Sequence, residues 1–173
     1  MTKKTIAGET LAEPLNRKEN SMLPKSVLIE TFRSGTIASL VIVPLAPLFK
    51  SMGLRFGHYG PKFAALFIDN PQPWMLFVQH LIIGWVSALP LLLILRGTKA
   101  GRWPLLVGAA YGATYYVAVN SIALPMYFND PTPWQIGWST IFPSLIGHII
   151  FGVSIALTSQ YFMSSGGTKY LPH

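Results

Sequence analysis

The stretch NPQPWMLFVQHLIIGWVSALPLLLIL, residues 70–95, decides the fold class of this chain. From Trp74 to Leu95 it contains no charged side chain, and it is long enough for a helix to cross the ~30 Å hydrocarbon core of a bilayer. The strands of a membrane barrel alternate polar and apolar residues, whereas this run is continuously apolar. The stretch therefore predicts an integral membrane protein built from helices.

Three further uncharged stretches accompany it, at 34–49, 103–128 and 134–165. The first is marginal in length unless it extends backwards through residues 26–33, which we interpret as an interfacial turn. We predict an all-α membrane fold, a four-helix transmembrane bundle with spans at about 34–51, 74–95, 103–127 and 137–162. They form a domain at 34–165, between a polar cytoplasmic tail at 1–33 and a C-terminal tail at 166–173.

The composition agrees with a membrane protein. Hydrophobic residues make up 51% of the 173 residues and charged residues only 11%, and the mean hydropathy is +0.43. A soluble domain usually carries about a quarter charged residues. The chain has no cysteine, which excludes disulfides, thiolate metal sites and cysteine nucleophiles.

The net charge of +7 is explained by membrane orientation. The basic residues flank the apolar runs, so we expect no nucleic-acid partner. With the N-terminus inside, the outer side holds only Lys50, Arg55 and Lys62, and the other basic residues lie inside. We therefore predict that both termini are cytoplasmic, with Trp74, Trp103 and Trp134 as anchors at the membrane interfaces.

A proline-rich pentapeptide occurs twice, as NPQPW at 70–74 and DPTPW at 130–134. Asn70 and Asp130 are suited to cap exposed helix N–H groups, and proline suits a first helical turn. Because an apolar run follows each copy, we interpret helices 1–2 and 3–4 as two parallel repeats of one hairpin. The second copy contains an insertion near WQIGWSTIFP, which predicts an outer turn before the last span.

His80 and His148 lie at equivalent places in the two copies. One hypothesis is that they face each other and bind haem b through two imidazoles. Another is that each donates a hydrogen bond across a helix interface. A third is a pH-responsive role, because neutral histidine is the side chain most easily charged by mild acid.

Other polar and small residues in the spans are interpreted as packing elements. Gly108 and Gly112 form a GxxxG pattern, which allows close packing either within the bundle or between two chains. Asn120 is expected to be an interhelical hydrogen-bond partner. The three long runs contain no Asp, Glu, Lys or Arg, which argues against an ion-coupled transporter. No catalytic or metal-binding pattern is found, so we expect neither an enzyme nor a metal site.

Several short words are similar to the YagU-like bacterial inner-membrane proteins: VPLAP at 43–47, HLIIG at 80–84, GRWPLLVGAAYG at 101–112, SIALP at 121–125, NDPTP at 129–133 and GHIIFGVSIAL at 147–157. The resemblance implies a multispan protein of the bacterial inner (cytoplasmic) membrane, linked in the family to acid tolerance. It also implies that His80 and His148 are family positions.

Our functional hypothesis is a non-enzymatic accessory or structural subunit of a larger membrane assembly. Its partners would be the lipid bilayer and either other proteins of a membrane complex or further copies of itself. The alternatives are a haem-binding redox protein that uses His80 and His148, and a small pH-responsive permease linked to acid tolerance.

Overall fold

The computed structural model of the protein describes residues 25–165 and, within them, all side chains except those of residues 99–100 and 163–165. This part of the chain is helical and contains no strand. Its helices are α1 (Lys25–Ile42), α2 (Leu45–Ser51), α3 (Tyr59–Ala64), α4 (Pro73–Gly97), α5 (Pro104–Tyr115), α6 (Leu124–Phe128), α7 (Pro133–Ile136) and α8 (Trp138–Ser165). A π-helical segment, Tyr116–Ala123, joins α5 to α6, and a 3₁₀ turn, Lys99–Arg102, precedes α5.

Four helical segments in the described residues are long and apolar enough to cross a membrane: Lys25–Ser51, Pro73–Gly97, Pro104–Phe128 and Trp138–Phe162. The prediction of an all-α, four-helix membrane protein is confirmed. The chain ends predicted as tails, at 1–24 and 166–173, lie outside the described residues.

The first span starts earlier than its uncharged run predicts. Helix α1 begins at Lys25, so the segment interpreted as an interfacial turn is continuous with the helix that follows it. Thr31 and Ser34 donate their hydroxyls to carbonyls one turn back, which satisfies these polar groups within the helix. A turn at Val43–Pro44 then interrupts the helix, because proline disfavours the α conformation in the residue before it.

The two pentapeptides start helices, but their first residues do not cap them. Proline sets the first turn in both cases, at Pro73 and at Pro133, so the residue just before it becomes the N-cap. These N-caps are Gln72 and Thr132, and Thr132 forms a reciprocal capping box with Gln135. The expectation that Asn70 and Asp130 are the caps is therefore wrong.

The bundle is organised around α8, which packs against α5 and α1 and also contacts α4. Buried aliphatic side chains form one small core between the helices: Ala38, Ala88, Leu91, Leu92, Leu95, Ile155 and Ala156. We call this set the apolar core. The connections place the 52–72 and 129–137 loops at one end of the bundle, the Asp130 end. The start of α1 and the last turn of α4 lie at the other, the Arg96 end.

Close backbone approach characterises both hairpins. In the first, a Cβ on Gly35 of α1 would lie 3.0 Å from the carbonyl oxygen of Gly84 in α4. In the second, a Cβ on Gly108 of α5 would lie 2.6 Å from the carbonyl oxygen of Gly152 in α8. Small residues at these crossings let the backbones touch, which replaces the hydrophobic driving force that lipid cannot supply between helices.

The third span changes its helical pitch in the second half. Pro125 has no N–H to donate, and just before it the Leu124 N–H donates to the carbonyl of Val119, five residues back. The helix therefore has a larger radius over Tyr116–Ala123 than in α5. Such π segments are frequent at functional sites, so the side chains around Tyr116–Ala123 are candidates for a functional role.

Candidate functional site

The two histidines lie within the bundle, and each is held by a backbone carbonyl. His148 donates from Nδ1 to the carbonyl of Ser144 at 2.7 Å, one turn back in α8. His80 donates from Nε2 to the carbonyl of Ser39 at 3.2 Å, across the contact between α4 and α1. The second bond is an interhelical one of the kind expected from the sequence, whereas the first stays within a single helix.

Aromatic rings from the third span surround His148. The ring of Tyr115 is stacked on the imidazole at a centroid distance of 5.7 Å, and the ring of Tyr116 lies at the same distance in a tilted arrangement. The Tyr115 hydroxyl accepts a hydrogen bond from Ser87 Oγ at 2.9 Å, and Tyr111 donates to the Ser87 carbonyl. These contacts join α4, α5 and α8 into one layer, which we call the His148 layer.

Each of the two histidines uses one ring nitrogen in a hydrogen bond to a backbone carbonyl and has the other nitrogen left. A haem-ligating histidine normally binds iron through one nitrogen and donates from the other to a carbonyl or carboxylate. His148 has that arrangement, with Nε2 left for a ligand. His80 has the converse arrangement, because its Nε2 donates to Ser39 and its Nδ1 is left. Haem b stays a prediction from the sequence.

A buried ion pair lies at the Arg96 end. The side chain of Arg96 in α4 pairs with Glu30 in α1, whose side chain is only 8% exposed. Ser159 of α8 donates to the other carboxylate oxygen at 2.8 Å. Three helices therefore meet at one carboxylate. Charged groups at membrane depth are costly unless paired, and they commonly mark functional sites.

Sequence reasoning missed this ion pair, although a signal was present. The first apolar run is too short unless helix α1 extends back through residues 26–33. That extension brings Glu30 inside the span, while Arg96 follows the second apolar run directly. Glu30 could therefore have been identified as an intramembrane carboxylate from the length that a span requires.

A second charged cluster lies at the Asp130 end. Lys62 of α3 pairs with Asp130, and His58 Nε2 lies 3.5 Å from the same carboxylate. The hydrogen bond from Lys62 holds the pKa of Asp130 below its ordinary value, and His58 lowers it further. Tyr59 stacks on Phe128 at 5.9 Å. The cluster therefore links the 52–72 loop to the 129–137 loop.

A small cavity of ≈ 20 Å³ lies beneath this cluster. It lies between the 52–72 loop, the π segment and the first turns of α8. Its polar lining residues are Arg55, His58, Tyr59, Asn120, Thr140 and Ser144. Asn120, predicted as a helix-packing residue, thus faces a cavity.

The glycines and tryptophans lie in different environments. Gly108 and Gly112 both face α8, where Gly112 lies against the His148 backbone. Their contacts lie inside the bundle and leave the opposite face of α5 exposed. Trp74, Trp103 and Trp134 are 63%, 67% and 56% exposed, as side chains at a lipid interface would be.

Comparison with known proteins yields no relative: no family model matches the chain, and neither the curated proteins nor the solved structures give a match. The resemblance to the YagU-like proteins therefore stays a prediction from short apolar sequence segments.

Proposed function

We propose that this protein is a non-enzymatic accessory subunit of a larger membrane assembly, and that it contacts its partner through the exposed face of the third span. The observation that carries the proposal is the distribution of small residues on α5 and the π segment. Gly108 and Gly112 are used within the bundle, whereas Ala110, Thr114 and Ala118 repeat at four-residue spacing on the outward side and are exposed.

This outward face has the properties of a helix-docking surface. A groove of ≈ 390 Å³ lies along it, lined by Ala113, Thr114, Val117, Ala118 and Ile122. A small-xxx-small spacing lets a second helix approach closely, and a threonine hydroxyl can donate across such a contact. The third span is also the least buried of the four, with 22% of its apolar window buried inside the bundle.

Single-cysteine photocrosslinking tests the proposal, because the natural chain contains no cysteine. We expect Thr114→Cys, labelled with a maleimide photocrosslinker in native membranes, to give one discrete adduct of higher mass. Val86→Cys on α4, which is 69% exposed, is the matched control and should give none. If the protein extracted in mild detergent migrates as a lone monomer and Thr114 yields no adduct, the accessory role is wrong.

A second candidate function is a small pH-responsive permease in the bacterial inner membrane. It is favoured by the polar groups that extend inwards from the Asp130 end. They run from the cavity through Ser144 and His148 to Tyr115 and Ser87, where the apolar core closes the path. Protonation of His148 would place a charge beside that closure.

Flux measurements separate this candidate from the accessory role. Proteoliposomes should show pH-dependent ion or solute flux between about pH 7 and pH 5, where histidine titrates. We expect His148→Phe to abolish the pH dependence, and Thr114→Val, on the exposed face, to leave it unchanged. Flux equal to that of empty vesicles at both pH values would exclude the permease.

A further inference from the structure

Arg33 is an exposed charge on the first span, and the described residues supply no carboxylate for it. It lies eight residues after Lys25, the first residue of α1, and so about 12 Å along the helix axis. Of the three acidic residues in the described part of the chain, Glu30 pairs with Arg96 and the other two lie at the Asp130 end. Because a charge at membrane depth needs a counter-charge, the partner of Arg33 has to come from elsewhere.

The Arg33 side chain points back toward the Arg96 end of the bundle. Ser159 of α8 donates to Glu30 of α1, and the two helices are antiparallel, so residues after Glu30 lie opposite residues before Ser159. The guanidinium carbon of Arg33 instead lies 5.3 Å from the centroid of the Phe162 ring, which comes after Ser159. Long basic side chains near a span end extend in this way toward the lipid headgroups.

The surface around Arg33 is apolar and open to lipid. Ile29 and Ile37 lie one turn on either side of it, on the same face of α1, and are 53% and 38% exposed. Phe162, under the guanidinium, packs edge-on against the exposed ring of Tyr161. An acyl chain can therefore lie along the isoleucines while its headgroup stays at the guanidinium.

We propose that Arg33, Ile29 and Ile37 form a binding site for one anionic phospholipid of the leaflet at the Arg96 end. A guanidinium binds phosphate oxygens through two parallel hydrogen bonds. A headgroup that has no amine is preferred, because Lys25 and Arg102 at this end also lack a carboxylate within the described residues. The site does not depend on the accessory role proposed above.

Quenching by brominated lipids tests the proposal on the full-length chain, which contains no cysteine. Ile29→Cys is labelled with bimane and reconstituted into vesicles that mix phosphatidylglycerol and phosphatidylcholine, with bromine on the acyl chains of one lipid or the other. The quenching gives the relative binding constant of the two lipids at this position. We expect phosphatidylglycerol to bind at least about threefold more tightly, and Arg33→Gln to remove that preference.

Matched variants separate a specific site from general attraction to a charged surface. Ile94→Cys, which is 41% exposed on α4 two residues before Arg96, should report no preference. Lys50→Gln loses the same charge at the Asp130 end and should leave the preference at Ile29 unchanged, whereas Arg33→Lys keeps the charge and should retain most of it. Equal preferences at Ile29 and Ile94, or a preference that persists in Arg33→Gln, would overturn the proposal.

Discussion

Gly108 of α5 and Gly152 of α8 touch backbone to backbone, and a Cβ on Gly108 would lie 2.6 Å from the Gly152 carbonyl oxygen. Gly112 makes a similar contact with the His148 backbone one turn away. A helix pair this close gains extensive van der Waals contact along its crossing. The position of His148 beside the tyrosines therefore depends on two residues that have no side chain.

Gly108→Ala should destabilise the bundle, because the added methyl group meets a backbone atom that cannot move aside locally. We expect a loss of about 1–3 kcal/mol in the free energy of unfolding, as for overpacked cores. SDS titration of the protein in mixed micelles measures it. Gly97→Ala is the control, since a Cβ at Gly97 would meet no atom within 4 Å. Equal unfolding midpoints for the two variants would contradict the packing argument.

Removing one member of the Glu30–Arg96 pair should be more damaging than removing both. Glu30→Gln leaves the Arg96 charge unpaired, and breaking a buried ion pair costs about 3–5 kcal/mol. The double variant Glu30→Leu/Arg96→Met replaces the pair by apolar side chains and should recover most of that loss. Lys25→Gln, at the exposed start of α1, is the control. The same unfolding titration gives the free energy of unfolding of every variant. If the losses at the two positions simply add in the double variant, the coupling between Glu30 and Arg96 is refuted.

The sequence predicts the fold well because lipid imposes one dominant constraint. Uncharged runs of sufficient length must be helices, so the four spans follow from counting charges. The start of α1 was harder to place, since Arg33 ended the uncharged run and was preceded, about one turn earlier, by the carboxylate of Glu30. Its neutralisation by Arg96 depends on tertiary structure that no local pattern reveals.

The candidate sites were less predictable for a similar reason. His80 and His148 could be identified as unusual residues, but their bonds to Ser39 and Ser144 depend on helix rotation. The cavity at the Asp130 end combines a loop, a π segment and the start of α8, three elements distant in sequence. The repeated pentapeptide led to a wrong prediction of the helix caps, because Asp130 pairs with Lys62 instead of capping a helix.

Membrane orientation is testable with single cysteines. The excess of basic residues on one side predicts that the Arg96 end is cytoplasmic and the Asp130 end faces outwards. Arg102→Cys and Pro131→Cys lie at exposed positions on opposite ends of the bundle. In intact cells we expect a membrane-impermeant maleimide to label Pro131→Cys alone, and both variants after permeabilisation. Labelling of both in intact cells would rule out this topology.

Acid should weaken the junction between the two long loops through Asp130. The hydrogen bond from Lys62 lowers the pKa of Asp130 in the folded state below its ordinary value. A carboxyl group with a lowered pKa stabilises the fold above its unfolded pKa, and that stabilisation is lost as the pH falls through the folded value. We therefore expect the wild-type unfolding midpoint to drop below about pH 4.

Asp130→Asn isolates this contribution, because the amide cannot titrate and cannot form the ion pair with Lys62. Its unfolding midpoint should be lower than that of the wild type at neutral pH, and the difference should vanish at the acid end of a thermal melting series. Asp69→Asn, an exposed acid in the preceding loop, should follow the wild-type curve throughout. A wild-type acid transition that persists unchanged in Asp130→Asn would mean that another group controls it.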